Sequence, residues 1–276
     1  METRQIGWNG LRFWAPANCR PVKIGRRHLH FADPTGPVME LAWQRAGKRF
    51  SPTGWVKKSR EVDLAPLDAS WAQALSGFEV LGIKAKKPTT GRGVLAYCPG
   101  CGTATVFLFY GMAGKKAGKV LASFSDHPRG GEVSWSLFDI CARVPVSMEL
   151  DSYRFLPGEF MLAFSGGGTD LCLWRWSPAS MLLVDQSLAG WVKQRLPGAD
   201  TLPDNADFNG RIYWEQPPPA SAGRRLMRRL SSRPLHTLGR AWLVEGKNRI
   251  LAATAQGARL DTGAVSKVFD SYGIAG

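Results

Sequence analysis

The sequence predicts an α+β fold: two related antiparallel β-sheet units with covering helices, packed as one pseudo-symmetric body. Three observations lead there. Apolar residues alternate with period two at Leu11/Phe13, Met39/Leu41/Trp43, Val106/Leu108 and Phe160/Leu162/Phe164, the pattern of half-buried strands. A few segments carry helix-start chemistry instead, and stretches of the chain recur in order at slowly rising offsets.

The recurrence begins with Leu11–Pro16, whose alternation returns in Ile140–Pro145, 129 residues on. Phe31 to Trp43 then overlies Phe164 to Trp176 without a gap at an offset of 133, both copies reading as strand, tight turn, strand. The turns are Asp33-Pro34-Thr35-Gly36 and Ser165-Gly166-Gly167-Gly168. Gly54-Trp55-Val56-Lys57 recurs letter for letter as Gly190-Trp191-Val192-Lys193, and Gly91-Arg92 before one hairpin matches Gly239-Arg240 before another, at 136 and 148. Offsets that only grow are what a duplication with small insertions leaves. Two units are therefore expected, residues 1–130 and 131–276, with no Gly/Ser-rich spacer between them.

Element by element, the strongest helix signal runs from Pro178 to Arg195, with Ser177 as N-cap and Pro197-Gly198 as stop. Its counterpart in the first unit starts near Ser51-Pro52, and a short helix is expected from Ala69 to Leu75. Each unit reads β-β-β-α-β-β, with helices over one face of an antiparallel sheet. In this order, a strand ending in proline, a hairpin, a helix and further strands, the chain resembles the Mog1/PsbP-like group. That resemblance implies an accessory or binding protein and carries over no site residue.

Composition narrows the function. With 276 residues and 44% hydrophobic content the chain can build real cores, and no run approaches the roughly 20 apolar residues of a membrane span. The start, Met-Glu-Thr-Arg-Gln-Ile-Gly-Trp, lacks the apolar stretch of a signal peptide, so a cytoplasmic protein is expected. Lys and Arg number 36 against 22 Asp and Glu. The excess is uneven: residues 1–130 hold 20 basic and 8 acidic residues, net +12, and the rest hold 16 and 14, net +2. The candidate anion contacts are Lys57, Lys58, Lys84, Lys86, Lys87, Arg92, Lys115, Lys116 and Lys119. To these the Arg-rich insertion near residues 217–234 adds Arg224, Arg225, Arg228 and Arg229.

Gly111 to Lys119 looks like a phosphate loop but has Val120 where Walker A needs a hydroxyl, and a strand is expected to follow; nucleotide binding is rejected. Trp55 beside Lys57 and Lys58 could stack a base. Core packing explains Trp43, Trp174, Trp176 and Trp191 better, since they fall at matched positions. The expected function is non-enzymatic binding of RNA, DNA or a ribonucleoprotein such as the ribosome. The alternative is an adaptor or assembly factor for an acidic protein partner; no membrane contact is expected, and the chain is a monomer or a dimer.

Five cysteines, at 19, 98, 101, 141 and 172, do not form a disulfide framework. Cys98-Pro99-Gly100-Cys101 has metal-knuckle spacing in a hairpin turn, a good geometry for two zinc thiolates. The second unit offers Glu245-Gly246-Lys247-Asn248 at that turn, so further ligands would have to be His127, Cys141 or another chain. The leading expectation is a plain hairpin turn with free thiols and no cofactor; zinc or another metal at the pair, and then a redox pair, are the alternatives. Nucleophile elbows, H-E-x-x-H and a dinucleotide fingerprint are missing, so no catalytic residue is assigned.

Overall fold

The structure, a computed structural model, describes residues 2–275 apart from 48–49, 87–89, 129, 201, 204–205, 207–209, 222, 224 and 226–233. The chain divides into two compact units, Met1–Asp139 and Ile140–Ile274. In the first, strands β1 (Thr3–Trp8), β2 (Leu11–Pro16), β3 (Arg20–Gly25), β4 (His28–Asp33) and β5 (Gly36–Arg45) lead into helix α1 (Pro52–Lys58). Then come β6 (Val62–Leu64), α2 (Ala69–Ala74), β7 (Glu79–Ala85), β8 (Arg92–Tyr97), β9 (Thr103–Phe109), α3 (Gly114–Ala122) and β10 (Glu132–Leu137). Seven strands form one antiparallel sheet in the order β3-β4-β5-β9-β8-β7-β6, and β1 lies between β2 and β10. Phe13, Phe31, Met39, Leu41 and Phe107 fill the core on one face of the large sheet.

The second unit runs β11 (Ile140–Pro145), β12 (Glu149–Leu156), β13 (Glu159–Gly166), β14 (Thr169–Trp176), α4 (Ala179–Leu182) and α5 (Leu188–Arg195). It closes with β15 (Arg211–Gln216), β16 (His236–Val244), β17 (Arg249–Gly257), α6 (Thr262–Ser271) and β18 (Gly273–Ile274). Its large sheet has the order β12-β13-β14-β17-β16-β15, and β18 pairs with β11. The order of β1–β5, α1, β8, β9 and α3 is repeated by β10–β14, α5, β16, β17 and α6. The shared Gly-Trp-Val-Lys falls at one place in the two helices: Ser51 Oγ accepts from the Gly54 N–H, and Ser187 Oγ from the Gly190 N–H.

The α+β expectation is corrected. The fold is mostly β, 48% strand against 19% helix: most of the chain is spent in antiparallel strand pairing within three sheets, and the helices that lie on them are few and short. The helix expected over Pro178 to Arg195 breaks into α4 and α5: Met181 and Val184 are 73% and 70% exposed, so they supply no buried stripe, and Ser187 caps a new start. Gly111 to Lys119 errs the other way. A helix follows, not a strand, with Ala117, Val120 and Leu121 on its buried face, so the case against Walker A rests on Val120 alone.

A bulge corrects the gapless overlay of Phe31–Trp43 on Phe164–Trp176. Ala32 pairs with Pro37 but Phe31 with Met39, so Val38 is extra, whereas Phe164 pairs directly with Leu171. Beyond the bulge every side chain of β5 changes face relative to the overlay. Trp43 shares the face of Met39 and Leu41, and Trp174 and Trp176 correspond to Ala42 and Gln44.

Candidate metal centre

Cys98 directly follows β8 and Cys101 precedes β9, in the hairpin turn that the spacing predicts. The Cys98 N–H donates to the Thr103 carbonyl at 2.9 Å and the Gly102 N–H to the Cys98 carbonyl at 2.8 Å. Gly102 holds φ +72°, which glycine adopts without a steric penalty. Cys98 is buried and Cys101 half-buried.

The segment after α3 completes the group. Its position is fixed three ways: Ser123 Oγ accepts from the Trp14 N–H at 2.8 Å, Ser125 exchanges two backbone hydrogen bonds with Arg12, and Phe124 stands edge-on to Phe107, centroids 4.9 Å apart. Asp126 and His127 are thereby delivered to the turn. Cys98 Sγ lies 3.2 Å from His127 Nε2 and Cys101 Sγ lies 3.1 Å from Asp126 Oδ2. All four donor atoms fall within 4.8 Å of one another. A tetrahedral ion with bonds of about 2.0–2.3 Å needs donor separations of about 3.3–3.8 Å, so small rotations would seat one.

Asp126 supports an ion independently. Its side chain is 1% exposed, and Oδ1 is buried without a hydrogen bond, though 3.3 Å from His127 Nε2. A carboxylate oxygen left unpaired in the interior is costly unless a cation or proton meets it. Burial pushes the Cys101 thiol up to about 11; the Thr103 hydroxyl opposes this and Asp126 adds to it. A bound cation would reverse that by drawing the proton off. Two thiolates, an imidazole and a carboxylate suit zinc.

The sequence reading named Cys98, Cys101 and His127 but missed Asp126, whose only signal is its place beside His127. Cys141 belongs to the second unit, 3.7 Å from the Gly273 carbonyl, and is not in the group. There Gly273 pairs with Cys141 as Ser125 does with Arg12, and Ile274 follows where the first unit has Asp126.

The basic candidates scatter. Lys57 and Lys58 are exposed in the last turn of α1, and Lys84 and Arg92 are cross-strand partners on β7 and β8. Lys86 is engaged, donating to the Ser59 carbonyl at 2.8 Å and lying 3.4 Å from Asp63. Lys115, Lys116 and Lys119 are exposed together on α3. Arg225 is exposed and donates to the Pro219 and Ala220 carbonyls, whereas Lys87, Arg224, Arg228 and Arg229 lie outside the described residues. Trp55 is half-buried in an apolar cluster, not displayed beside Lys57.

No family model and no characterised protein matches the chain. Among solved structures, one from Bacteroides thetaiotaomicron is similar at 12% identity over 52% of this chain and 54% of that one, TM-score 0.31. MucB in complex with MucA(peri) is similar at 9% identity over 96% and 82%, TM-score 0.26. The MucA/MucB complex of Pseudomonas aeruginosa gives 11% over 99% and 92%, TM-score 0.26. Likenesses this weak carry neither fold nor function across, and none is to the Mog1/PsbP-like group. Among the described residues no helix is long and apolar enough to cross a membrane.

Proposed function

We propose that this chain is a non-enzymatic binding protein whose first unit is stapled by a structural zinc ion and presents the lysines of α3 to an acidic protein partner. The observation that carries the reading is the closed donor set. Four protein ligands fill a tetrahedron and leave no position for a substrate, so the ion serves the fold. It would tie the segment leaving α3 to the β8–β9 turn, and so hold Lys115, Lys116 and Lys119 outward while Ala117, Val120 and Leu121 stay buried. Protein is favoured over nucleic acid because Trp55, the aromatic next in sequence to the Lys57/Lys58 pair, packs against the sheet-side cluster and borders the cleft there, so that its ring does not accompany the exposed lysines as a stacking platform.

Elemental analysis of the purified chain, with its mass measured in solution, should find about one zinc per chain. Cys98→Ala or Asp126→Ala should lose it and unfold the first unit at lower temperature. A metal-free protein as stable as one reconstituted with zinc would sink the staple. For the partner, an oligoglutamate peptide and a single-stranded RNA of equal charge are titrated at several salt concentrations. The peptide should bind more tightly, and replacing Lys115, Lys116 and Lys119 by Gln should weaken it. Tighter RNA binding with a steep salt slope would reinstate nucleic acid as the partner.

A further inference from the structure

The face of the large first-unit sheet turned toward α1 is not filled. Glu40, Ala42 and Gln44 on β5 pair with Leu108, Val106 and Ala104 on β9, and these six line a cleft of about 180 Å³ together with Trp55 and Glu61. In the second unit the corresponding strands pair Cys172, Trp174 and Trp176 with Thr254, Ala252 and Ile250. There the two indoles stack at 5.3 Å, and Trp176 meets Trp191, the counterpart of Trp55, edge-on at 4.7 Å. Where the second unit places two indoles against its helix, the first has a methyl, an amide and an open space.

Charge says what the space suits. The charged residues lining it are Glu40 and Glu61, both acidic, in a chain of net charge +14. Glu40 is held in place: Oε2 accepts from the Tyr110 hydroxyl at 2.6 Å and Oε1 lies 2.7 Å from His28 Nε2. Each oxygen keeps a lone pair for one further donor. Ala42, Val106 and Leu108 offer an apolar lining for an aliphatic stem, and Trp55 offers an indole of the kind that attracts cations.

The geometry points to this cleft as a binding site for an alkylammonium group, an amine on an aliphatic stem, with Glu40 receiving the cation and Trp55 beside the stem. A free amine and a lysine side chain share that chemistry. The site is independent of the zinc centre and of the α3 lysines.

Titration at pH 8 with n-butylammonium, Nα-acetyl-lysine N-methylamide and the neutral isostere n-butanol, followed by Trp fluorescence and amide NMR shifts, tests it. Both amines should saturate with shifts at residues 40–44 and 104–108, and should bind at least about tenfold more tightly than the alcohol, since a charge-assisted hydrogen bond is worth that margin. Preference for the lysine derivative would mark a polypeptide as the source of the amine, and preference for butylammonium a small molecule. Glu40→Gln should erase the margin over the alcohol. Ala42→Trp, which restores the indole of the second unit, should abolish binding while the amide spectrum stays folded. Equal affinity for alcohol and amines, or amine shifts that survive Ala42→Trp, would overturn the proposal.

Discussion

The two units cover one face of their large sheets with the same serine-capped helix, yet one interior is closed and the other open. In the second, Trp174, Trp176 and Trp191 pack against Leu188, Val192 and Ile250. In the first, the helix-facing residues of β5 are Glu40, Ala42 and Gln44, and a carboxylate sits where an aromatic core would exclude it. A sheet with its other face already buried can leave this one incomplete without losing the fold. The vacancy is therefore free to serve a ligand, at the cost of the packing energy that the second unit retains.

That contrast is sharpest in its tryptophans. Trp191 is 1% exposed, meets Trp176 edge-on, and carries Arg195 over its ring at 4.7 Å. Trp191→Ala should cost about 3–5 kcal/mol, as large aromatic truncations in closed cores do. Trp55→Ala opens a wall that already borders a cleft, so about 1–2 kcal/mol is expected, since only part of the ring's apolar area is out of water. Urea unfolding of the two variants measures the difference, and equal losses would mean the first-unit interior is as closed as the second.

A smaller effect belongs to Glu40. Burial alone would raise its carboxyl, but hydrogen bonds from Tyr110 and His28, helped by the charges of His28 and His30, outweigh burial and hold it below the ordinary carboxylate value. The folded state thus binds this proton less readily than the unfolded chain. The stabilisation is present above the unfolded carboxylate range and is lost as pH falls through the folded value. Tyr110→Phe removes one donor and should cost about 1 kcal/mol at neutral pH. It should also flatten the acid side of the stability profile below pH ~4.5. Cys172→Ala in the second unit, at the position that matches Glu40 but carries no carboxylate, should leave the acid side of that profile unchanged.

How much of this was legible follows from particular residues. β2 and β11 begin and end where the repeated alternation places them, and the β4–β5 and β13–β14 turns fall on Pro34-Thr35 and Gly167-Gly168, because period-two burial and turn chemistry are local. Val38 was not legible: one extra residue in a ladder leaves the composition of the strand unchanged yet exchanges its faces. The same applies to α3, whose lysines look like a loop until the 117–120–121 spacing is weighed as one buried stripe. In the metal group, the Cys98/Cys101 spacing is local and visible. Asp126 is brought to it by the backbone pairing of its neighbour Ser125 with Arg12, a contact across 113 residues that no short-range pattern encodes.

The smallest expected effect tests whether the two helices are equivalent at their starts even though their faces differ. Ser51 Oγ lies 3.2 Å from the Gly54 nitrogen and Ser187 Oγ 3.1 Å from the Gly190 nitrogen, both on exposed turns. Each accepts from an N–H that the helix itself cannot satisfy, and the preserved glycine brings no side chain into the cap. Ser51→Ala and Ser187→Ala should each cost about 1 kcal/mol, and the two should match within the error of a chemical denaturation curve. If Ser187→Ala costs markedly more, the closed aromatic interior is propagating into the cap. If Ser51→Ala costs markedly more, α1 depends on its cap because the cleft beneath it supplies too little packing, and an alkylammonium ligand that fills the cleft should then reduce the loss.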